Sequence, residues 1–429
     1  MAGEIRIDEL NPKGEGIGTS KRERVFVDRA LPGDLIEAKL RRDVDGVLRG
    51  DVVRIAEASP HRVEPPCPHY ALCGGCTLQH GSEIFYRDWK SSIVREALAA
   101  KDLSPKLWRD PVFLPGGGRR RVTFTAEKRD GAVTLGYSRR RQREVVAIDS
   151  CLIANPAIMA LRPRLAPLLG PMLQEGKPAT AFIQTVGGQF EIVITGPVGR
   201  HGVPDAAVRE AMTTLADELG IDRLSWRANL GDVPDVIIER QPLHARFGPL
   251  DVALPPLGFL QPTPAGEAAL VAAVLDALPP AGRFADLFAG SGTFTGPMLA
   301  RGAVDAFENV ATTIRALDDA VSDNAEGSLP LKAIRRDLYR EPLTRAEAER
   351  YDAIVFDPPR AGAEAQVKEL ATAATPVLVA VSCNPATFAR DARTLVDGGY
   401  CLDSVQVIDQ FTFSHHVELV AAFSKRARA

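Results

Sequence analysis

Phe284-Ala285-Asp286-Leu287-Phe288-Ala289-Gly290-Ser291-Gly292-Thr293 is an apolar run closed by a glycine-rich turn. Five residues are too few for a helix, and the flanking glycines favour a strand buried on both faces. The same punctuation recurs downstream. Ala303 to Phe307, Ala353 to Phe356 and Val377 to Val381 are further short apolar runs, and Glu267 to Leu278 has helical spacing. Alternation of this kind implies βαβ units and a doubly wound parallel sheet from about residue 265 onward. Cys401 to Val407 and Val417 to Phe423 are joined by too short a loop for a helix, so they predict a terminal antiparallel hairpin. Ligands of open α/β sheets bind at the carboxyl ends of the strands. Three such ends carry polar or glycine-rich residues: the Gly290-Ser291-Gly292 loop, Asp357-Pro358-Pro359-Arg360, and Ser382-Cys383-Asn384-Pro385. They predict one active-site rim with a thiol on it.

Outward from that core, 429 residues exceed one ordinary domain. With 45% hydrophobic and 25% charged residues the chain is globular rather than disordered or fibrous. No run approaches the ~18 apolar residues of a membrane span. The first residues, Met-Ala-Gly-Glu-Ile-Arg-Ile-Asp, carry charge where a signal peptide is apolar. A cytoplasmic protein, acting as a monomer, is the expectation. Residues 1–58 alternate β-type runs with turns such as Pro32-Gly33-Asp34 and predict a small, OB-like β-barrel. Residues 59–255 open on a Pro-rich linker and predict a central α+β domain. Its helix over 84–100 has room to pack on the third domain, 256–429.

The net charge of -3 conceals a basic segment: residues 101–150 hold 12 Lys or Arg against 6 Asp or Glu. Arg119, Arg120 and Arg121 head it, and such a cluster can neutralise nucleic-acid phosphates. A solvated charged face is the plainer alternative. Cysteines are six, too few and too scattered for a disulfide framework. Cys67, Cys73 and Cys76 cluster around Gly74 and Gly75, with Cys151 as a fourth candidate ligand. Four thiolates suit an iron–sulfur cluster or tetrahedral zinc, and zinc has His69 and His80 as further options. Cys401, inside a strand-like run, reads as a core cysteine.

Glycines at 290 and 292 let the backbone approach a ligand closely, and Glu308, at the end of the next strand, is placed to accept ribose hydroxyls. The dinucleotide pattern fails because Thr295 precedes the third glycine, Gly296. An adenosyl ligand without a pyrophosphate fits better.

Phe259-Leu260-Gln261, Asp286 to Gly292, Phe356-Asp357-Pro358-Pro359-Arg360-Ala361-Gly362 and Ser382 to Thr387 together, in this order, resemble the RNA uracil-5-methyltransferases. The resemblance is strongest to those acting on 23S ribosomal RNA, and it covers nearly the whole chain. It implies a class I S-adenosylmethionine methyltransferase fold for the third domain, a TRAM-like barrel that binds RNA, and a [4Fe-4S] cluster on Cys67, Cys73, Cys76 and Cys151. It further implies S-adenosyl-L-methionine contacts from Gln261, Phe288, Glu308, Asp337 and Asp357 beside the Gly290 and Gly292 loop. Thr293 stands where Asn is common, and Asp337 where Asn is also used. Cys383 matches the nucleophile and Glu418 the general base, with His415 and His416 as neighbouring competitors. The chemistry requires both. Cys383 adds to carbon 6 of uracil so that carbon 5 becomes nucleophilic enough to take a methyl group, and a base then removes the carbon 5 hydrogen for β-elimination. Transfer RNA is the alternative substrate, and a non-catalytic RNA-binding assembly factor the rival class.

Overall fold

The computed structural model describes residues 2–323 and 329–425. The chain folds into two compact units. One comprises residues 1–95, 138–142 and 413–416, and the other the rest.

In the first unit, β1 (Ala2–Leu10), β2 (Glu15–Ser20), β3 (Glu23–Asp28), β4 (Leu35–Arg42) and β5 (Leu48–Glu57) close a barrel in the order β1-β2-β3-β5-β4. Alternate residues Ile5, Ile7, Val25, Val27, Ile36 and Ala38 point inward and form its core, the period-2 signature of strands with one wet face. On the wet face Arg6, Arg24, Arg41, Arg42 and Arg54 each pair with a carboxylate: Glu57, Glu9, Asp51, Glu23 and Glu37 respectively. Residues 1–58 hold 11 Lys or Arg against 12 Asp or Glu, so the barrel surface is close to neutral. Asp34, fully buried, accepts from the Leu31 and Ser59 amides and pairs with Arg62, which fastens the chain leaving the barrel. Helix α1 (Glu83–Ala99) follows, of which residues to Arg95 belong to this unit.

The second unit holds two large sheets. Two short strands, β6 (Leu107–Trp108) and β7 (Val112–Phe113), pair with the strand Tyr400–Asp409 of the larger sheet. Then β8 (Arg121–Arg129), β9 (Ala132–Ser138), β10 (Val145–Ala147), β11 (Ala179–Val186), β12 (Gln189–Thr195), β13 (Arg223–Arg227) and β14 (Asp235–Glu239) form a seven-stranded sheet ordered β10-β9-β8-β11-β12-β13-β14. Helices α2 (Pro156–Leu169) and α3 (Ala206–Leu219) pack on it through Ile158, Leu165, Val208, Met212 and Leu215. Asn155 and Asp205 cap their first turns.

A hairpin, β15 (Leu243–Phe247) and β16 (Leu250–Leu254), leads to α4 (Pro264–Ala277), which Thr263 caps with Pro264 in the first turn. The parallel sheet then runs β17 (Gly282–Leu287), α5 (Thr295–Met298), β18 (Gly302–Glu308), α6 (Ala311–Ser322), β19 (Leu331–Arg335), α7 (Arg345–Ala348), β20 (Ala353–Phe356), α8 (Glu364–Thr372), β21 (Val377–Ser382), α9 (Pro385–Asp397), β22 (Tyr400–Asp409) and β23 (Glu418–Lys425). Its spatial order is β19-β18-β17-β20-β21-β23-β22 with β6 at the edge. The last two strands are antiparallel, as the hairpin reading predicts, and β23 inserts between β21 and β22. The β15–β16 hairpin buries Leu243, Phe247, Leu250 and Val252 in the same core as Phe284, Val304 and Val355. Among the described residues no helix is long and apolar enough to cross a membrane.

Candidate active site

The three predicted strand ends lie side by side. β17 pairs with β18 and with β20, and β20 with β21, all parallel, so Leu287, Phe356 and Ala380 sit in neighbouring register near one edge. Beyond them come the Gly290 loop, Asp357 and Cys383.

Phe288 leaves β17 in the left-handed region, φ 62°, unusual for a bulky residue and a mark of local strain at a ligand rim. Gly290, φ 53°, and Gly292, φ 95°, continue the turn, and nothing lies within 4 Å of where a Cβ at Gly290 would stand. The Gly290 amide donates to Glu308 Oε2 at 3.1 Å, while Glu308 Oε1 accepts from Asn309 and Val310. That carboxylate is thereby fixed beside the loop with acceptor capacity left for hydroxyl groups. The helix after the loop, α5, spans only four residues, so the loop backbone rather than a long helix start shapes this edge.

Asp286 is fully buried; Thr295 Oγ1 donates to its Oδ2 at 2.6 Å, while its Oδ1 has no partner. Ser291 Oγ is likewise buried without a partner. Burial pushes the Asp286 carboxyl up to about 7, and the neighbouring Asp357 and Glu308 charges push the same way. Asp357 is also raised well above the carboxylate range by burial. Three carboxyls and two unspent polar atoms around an open glycine turn fit a ligand bearing positive charge and hydroxyl groups, as an adenosyl sulfonium amino acid does.

Gln261 is 3% exposed, and its Oε1 accepts from Gln410 Nε2 at 2.8 Å. Asp337, past β19, accepts the Tyr339 amide, and the Tyr339 ring lies 5.5 Å from that of Phe288. Phe288, Glu308, Asp337 and Asp357 thus stand at the ends of β17, β18, β19 and β20, whereas Gln261, on the segment before α4, meets Gln410 just past β22.

Cys383 is half-buried directly after β21. Ser382 pairs with Leu419 across the antiparallel β21–β23 ladder, so Cys383 and Glu418 are the residues just beyond that pair. Glu418 is 6% exposed. The Cys383 thiol is pushed up to about 11, by burial first and then by the Glu418 and Asp357 charges, while Arg360 pulls it down. Nucleophile candidate, base candidate and the Asp357 carboxyl therefore feel one another. Asn384 explains the local turn: its side chain accepts the Ala386 amide as the cap of α9, with Pro385 in the first turn.

Two members of the arginine triplet are held inside the protein. Arg120 is 7% exposed, with Nε on the Gln261 carbonyl and Nη2 on Glu267, so its guanidinium is enclosed and committed. Arg121 donates to the Leu260 carbonyl and lies 4.6 Å from the Phe259 ring; burial pulls it down to about 10, and Arg120 and Arg119 add repulsion. Both side chains hold the Phe259-Leu260-Gln261 segment. Clustering in sequence suggests a basic face, but these two guanidiniums are taken up by the Leu260 and Gln261 carbonyls and the Glu267 carboxylate.

The cysteine loop lies in the first unit, where the Cys67 amide donates to Gln79 Oε1 and the Cys73 amide to the His69 carbonyl. Arg29 donates to the Ala71 and Cys73 carbonyls. Tyr70 Oη lies 2.6 Å from the Thr77 carbonyl and 2.7 Å from His80 Nδ1. His80, pulled down to about 3 by burial, is neutral. Cys67, Cys73, Cys76 and, in the second unit, Cys151 are half-buried and in no disulfide, and thiolates are the right donors for a soft metal. Among the described residues, however, no three His, Cys, Asp or Glu side chains are gathered as a metal site.

Sequence reading placed Asp286 and Ser291 in a motif without assigning them a site role, and passed over Tyr339 and Gln410. Gln410 has no sequence signal at all, since only the fold brings it to Gln261.

Residues 332–426 match the tRNA (Uracil-5-)-methyltransferase family model. The chain is 38% identical over 429 residues to an uncharacterized RNA methyltransferase of Caulobacter vibrioides, covering 98% of this chain and 100% of that one. It is 32% identical to the 23S rRNA (uracil(1939)-C(5))-methyltransferase RlmD of Pseudomonas entomophila, covering 98% and 93%. The Pyrococcus abyssi tRNA (uracil-54, C5)-methyltransferase, solved with S-adenosyl-L-homocysteine, superposes with a TM-score of 0.74 at 22% identity over 99% of both chains, which shows a shared fold. The parallel sheet is accordingly a class I methyltransferase fold, and the chain belongs to the S-adenosylmethionine-dependent RNA uracil-5-methyltransferase family.

Proposed function

We propose that this protein, a cytoplasmic enzyme, methylates carbon 5 of one uridine in 23S ribosomal RNA through a covalent adduct on Cys383, with Glu418 removing the carbon 5 proton. The observation that carries it is the meeting of Cys383 and Glu418 at the end of the β21–β23 ladder, beside Asp357. S-adenosylmethionine supplies the methyl group. Glu308, Asp337, Gln261 and Phe288 hold its adenosyl part, and the Gly290–Gly292 turn admits it. Cys383 adds to carbon 6, leaving carbon 5 nucleophilic; once carbon 5 is methylated, Glu418 takes its remaining proton and the C–S bond breaks. Uracil must leave its stack to reach this rim, so the RNA is read as a loop or single strand. Arg119, half-exposed, remains the member of the triplet suited to a phosphate.

Ribosomal rather than transfer RNA is favoured by the full-length likeness to RlmD. Radiolabelled methyl transfer to unmodified 23S and transfer RNA tests the choice. Label on 23S RNA alone is the expected result, label on transfer RNA alone overturns the substrate, and label on neither overturns the activity. The spacing of Cys67, Cys73 and Cys76, with Cys151, supports a [4Fe-4S] cluster as a structural element through which no step of the reaction runs. Iron with acid-labile sulfide in anaerobically purified protein supports that assignment, and zinc in their place removes it.

Cofactor affinity is expected to depend on pH. Asp286 and Asp357 have folded-state values above their unfolded ones, so their contribution to stability is fully present below about pH 4 and is lost as pH rises through about 7. A cation seated beside them favours the ionised forms. S-adenosylmethionine should therefore bind more tightly at pH 8 than at pH 6 and release protons on binding near pH 7. Calorimetry in buffers of different ionisation heat measures this directly; binding without proton release at pH 6.5 contradicts it.

A further inference from the structure

Residues Arg360–Ala363 connect the Asp357-Pro358-Pro359 strand end to α8, and both sides of the active site grip them. From α9, which starts at Pro385, Asn384 Nδ2 donates to the Arg360 carbonyl at 2.9 Å and Thr387 Oγ1 to the same oxygen at 3.2 Å. Arg390 Nη2 donates to the Ala361 carbonyl at 3.0 Å, and Asp391 Oδ2 accepts the Ala363 amide at 2.7 Å. Asp391 is itself 4% exposed, and its other oxygen accepts from Arg390 Nε at 2.8 Å. From the cofactor side, Tyr339 Oη donates to the Gly362 carbonyl at 3.2 Å, while its ring faces Phe288 and its amide reaches Asp337. Gly362, φ 80°, leaves no room for a side chain: an added Cβ would stand 2.5 Å from Arg390 Nη2 and 2.6 Å from Asp391 Oδ2.

A connecting loop on a surface is ordinarily left mobile. Here nearly every carbonyl of four consecutive residues is held, and the first of them is Arg360, the cation that opposes Glu418 and Asp357 at the Cys383 thiol. A guanidinium on a loose loop would be drawn into water, whereas a fixed backbone limits where it can go. We propose that Asp391 and Tyr339 are positioning residues that hold the Arg360–Ala363 segment, and the Arg360 cation with it, in register with Cys383. This rests on Cys383 being the nucleophile.

Two variants test it, Asp391→Asn and Tyr339→Phe, the second at a side chain 45% exposed whose loss of one hydroxyl leaves the fold intact. Each is expected to bind S-adenosylmethionine within about twofold of the parent and to keep its KM for RNA, while kcat falls about tenfold, since misplacement of a catalytic group by an ångström costs up to about a hundredfold. Iodoacetamide alkylation of Cys383, followed peptide by peptide across pH without RNA, should shift its midpoint upward in both. Folded variants with parental kcat and an unshifted alkylation profile overturn the proposal, as does a drop in kcat with no shift. The nucleophile reading fails separately, by methyl transfer surviving in Cys383→Ala, whatever the alkylation profiles show.

Discussion

Cys383→Ala is expected to transfer no methyl group and to form no covalent protein–RNA complex, whereas Glu418→Gln is expected to accumulate that complex. The two outcomes follow from where each residue acts. Without the thiol, carbon 5 of uracil never gains enolate character, and loss of a covalent nucleophile costs on the order of 10⁴-fold or more in rate. Without the carboxylate, addition and methylation proceed but the carbon 5 proton stays, and β-elimination stalls with RNA attached. The ladder register makes the pairing specific: Glu418 starts β23 next to Leu419, which pairs with Ser382, so it is the carboxylate at the thiol's end of the sheet. The Cys383 thiol lies near 11 at rest because burial and two carboxylates disfavour its anion. Methyl transfer should therefore rise with pH up to the thiol's midpoint, which the positive charge of bound cofactor would lower. Denaturing gels of enzyme with labelled RNA read the adduct. A Glu418→Gln protein that turns over normally without adduct removes Glu418 as the base and returns His415 and His416 to consideration.

Arg223→Ala is expected to be the most destabilising single change. Arg223 is 1% exposed and Glu191 fully buried; they meet at 2.9 Å on the central sheet. Arg223 also donates to the Leu254 and Pro255 carbonyls, and Glu191 accepts the Leu257 amide. Burial raises the Glu191 carboxyl even with Arg223 beside it. Removing the guanidinium would strand a buried acid and two carbonyls, a loss of about 3–5 kcal/mol. By the same rule Arg223→Met with Glu191→Leu should recover most of that, since neither charge is then left alone. Urea titration measures both, and an Arg223→Ala shift under about 1 kcal/mol refutes the argument. Because the anchored residues 254–257 run on to Gln261, the single variant should also weaken cofactor binding.

Much of this was legible in the chain. Apolar runs of four to six residues punctuated by glycine, proline and asparagine reveal parallel strands because strands buried on both faces cannot alternate. Cys383 and Asp357 stand out because strand ends carry the reactive groups of this architecture. Other features depend on partners distant in sequence. The Arg119-Arg120-Arg121 run has the composition of an RNA contact, yet Arg120 and Arg121 turn inward to the carbonyls of Leu260 and Gln261, some 140 residues away in sequence. Strands β6 and β7, two residues each, are invisible to periodicity and exist only because β22 offers an edge.

The sequence by itself determined the alternation of strands and helices from about residue 265 onward, the glycine turn and the residue types able to do the chemistry, because these depend on neighbours along the chain. Only the tertiary structure decided which carboxylate meets the Cys383 thiol, which arginines are spent on the Gln261 segment, and that Asn384, Thr387, Arg390, Asp391 and Tyr339 converge on one four-residue loop. Those choices are made by ladder register, burial and close packing between segments far apart in the chain, and a linear pattern carries no record of them.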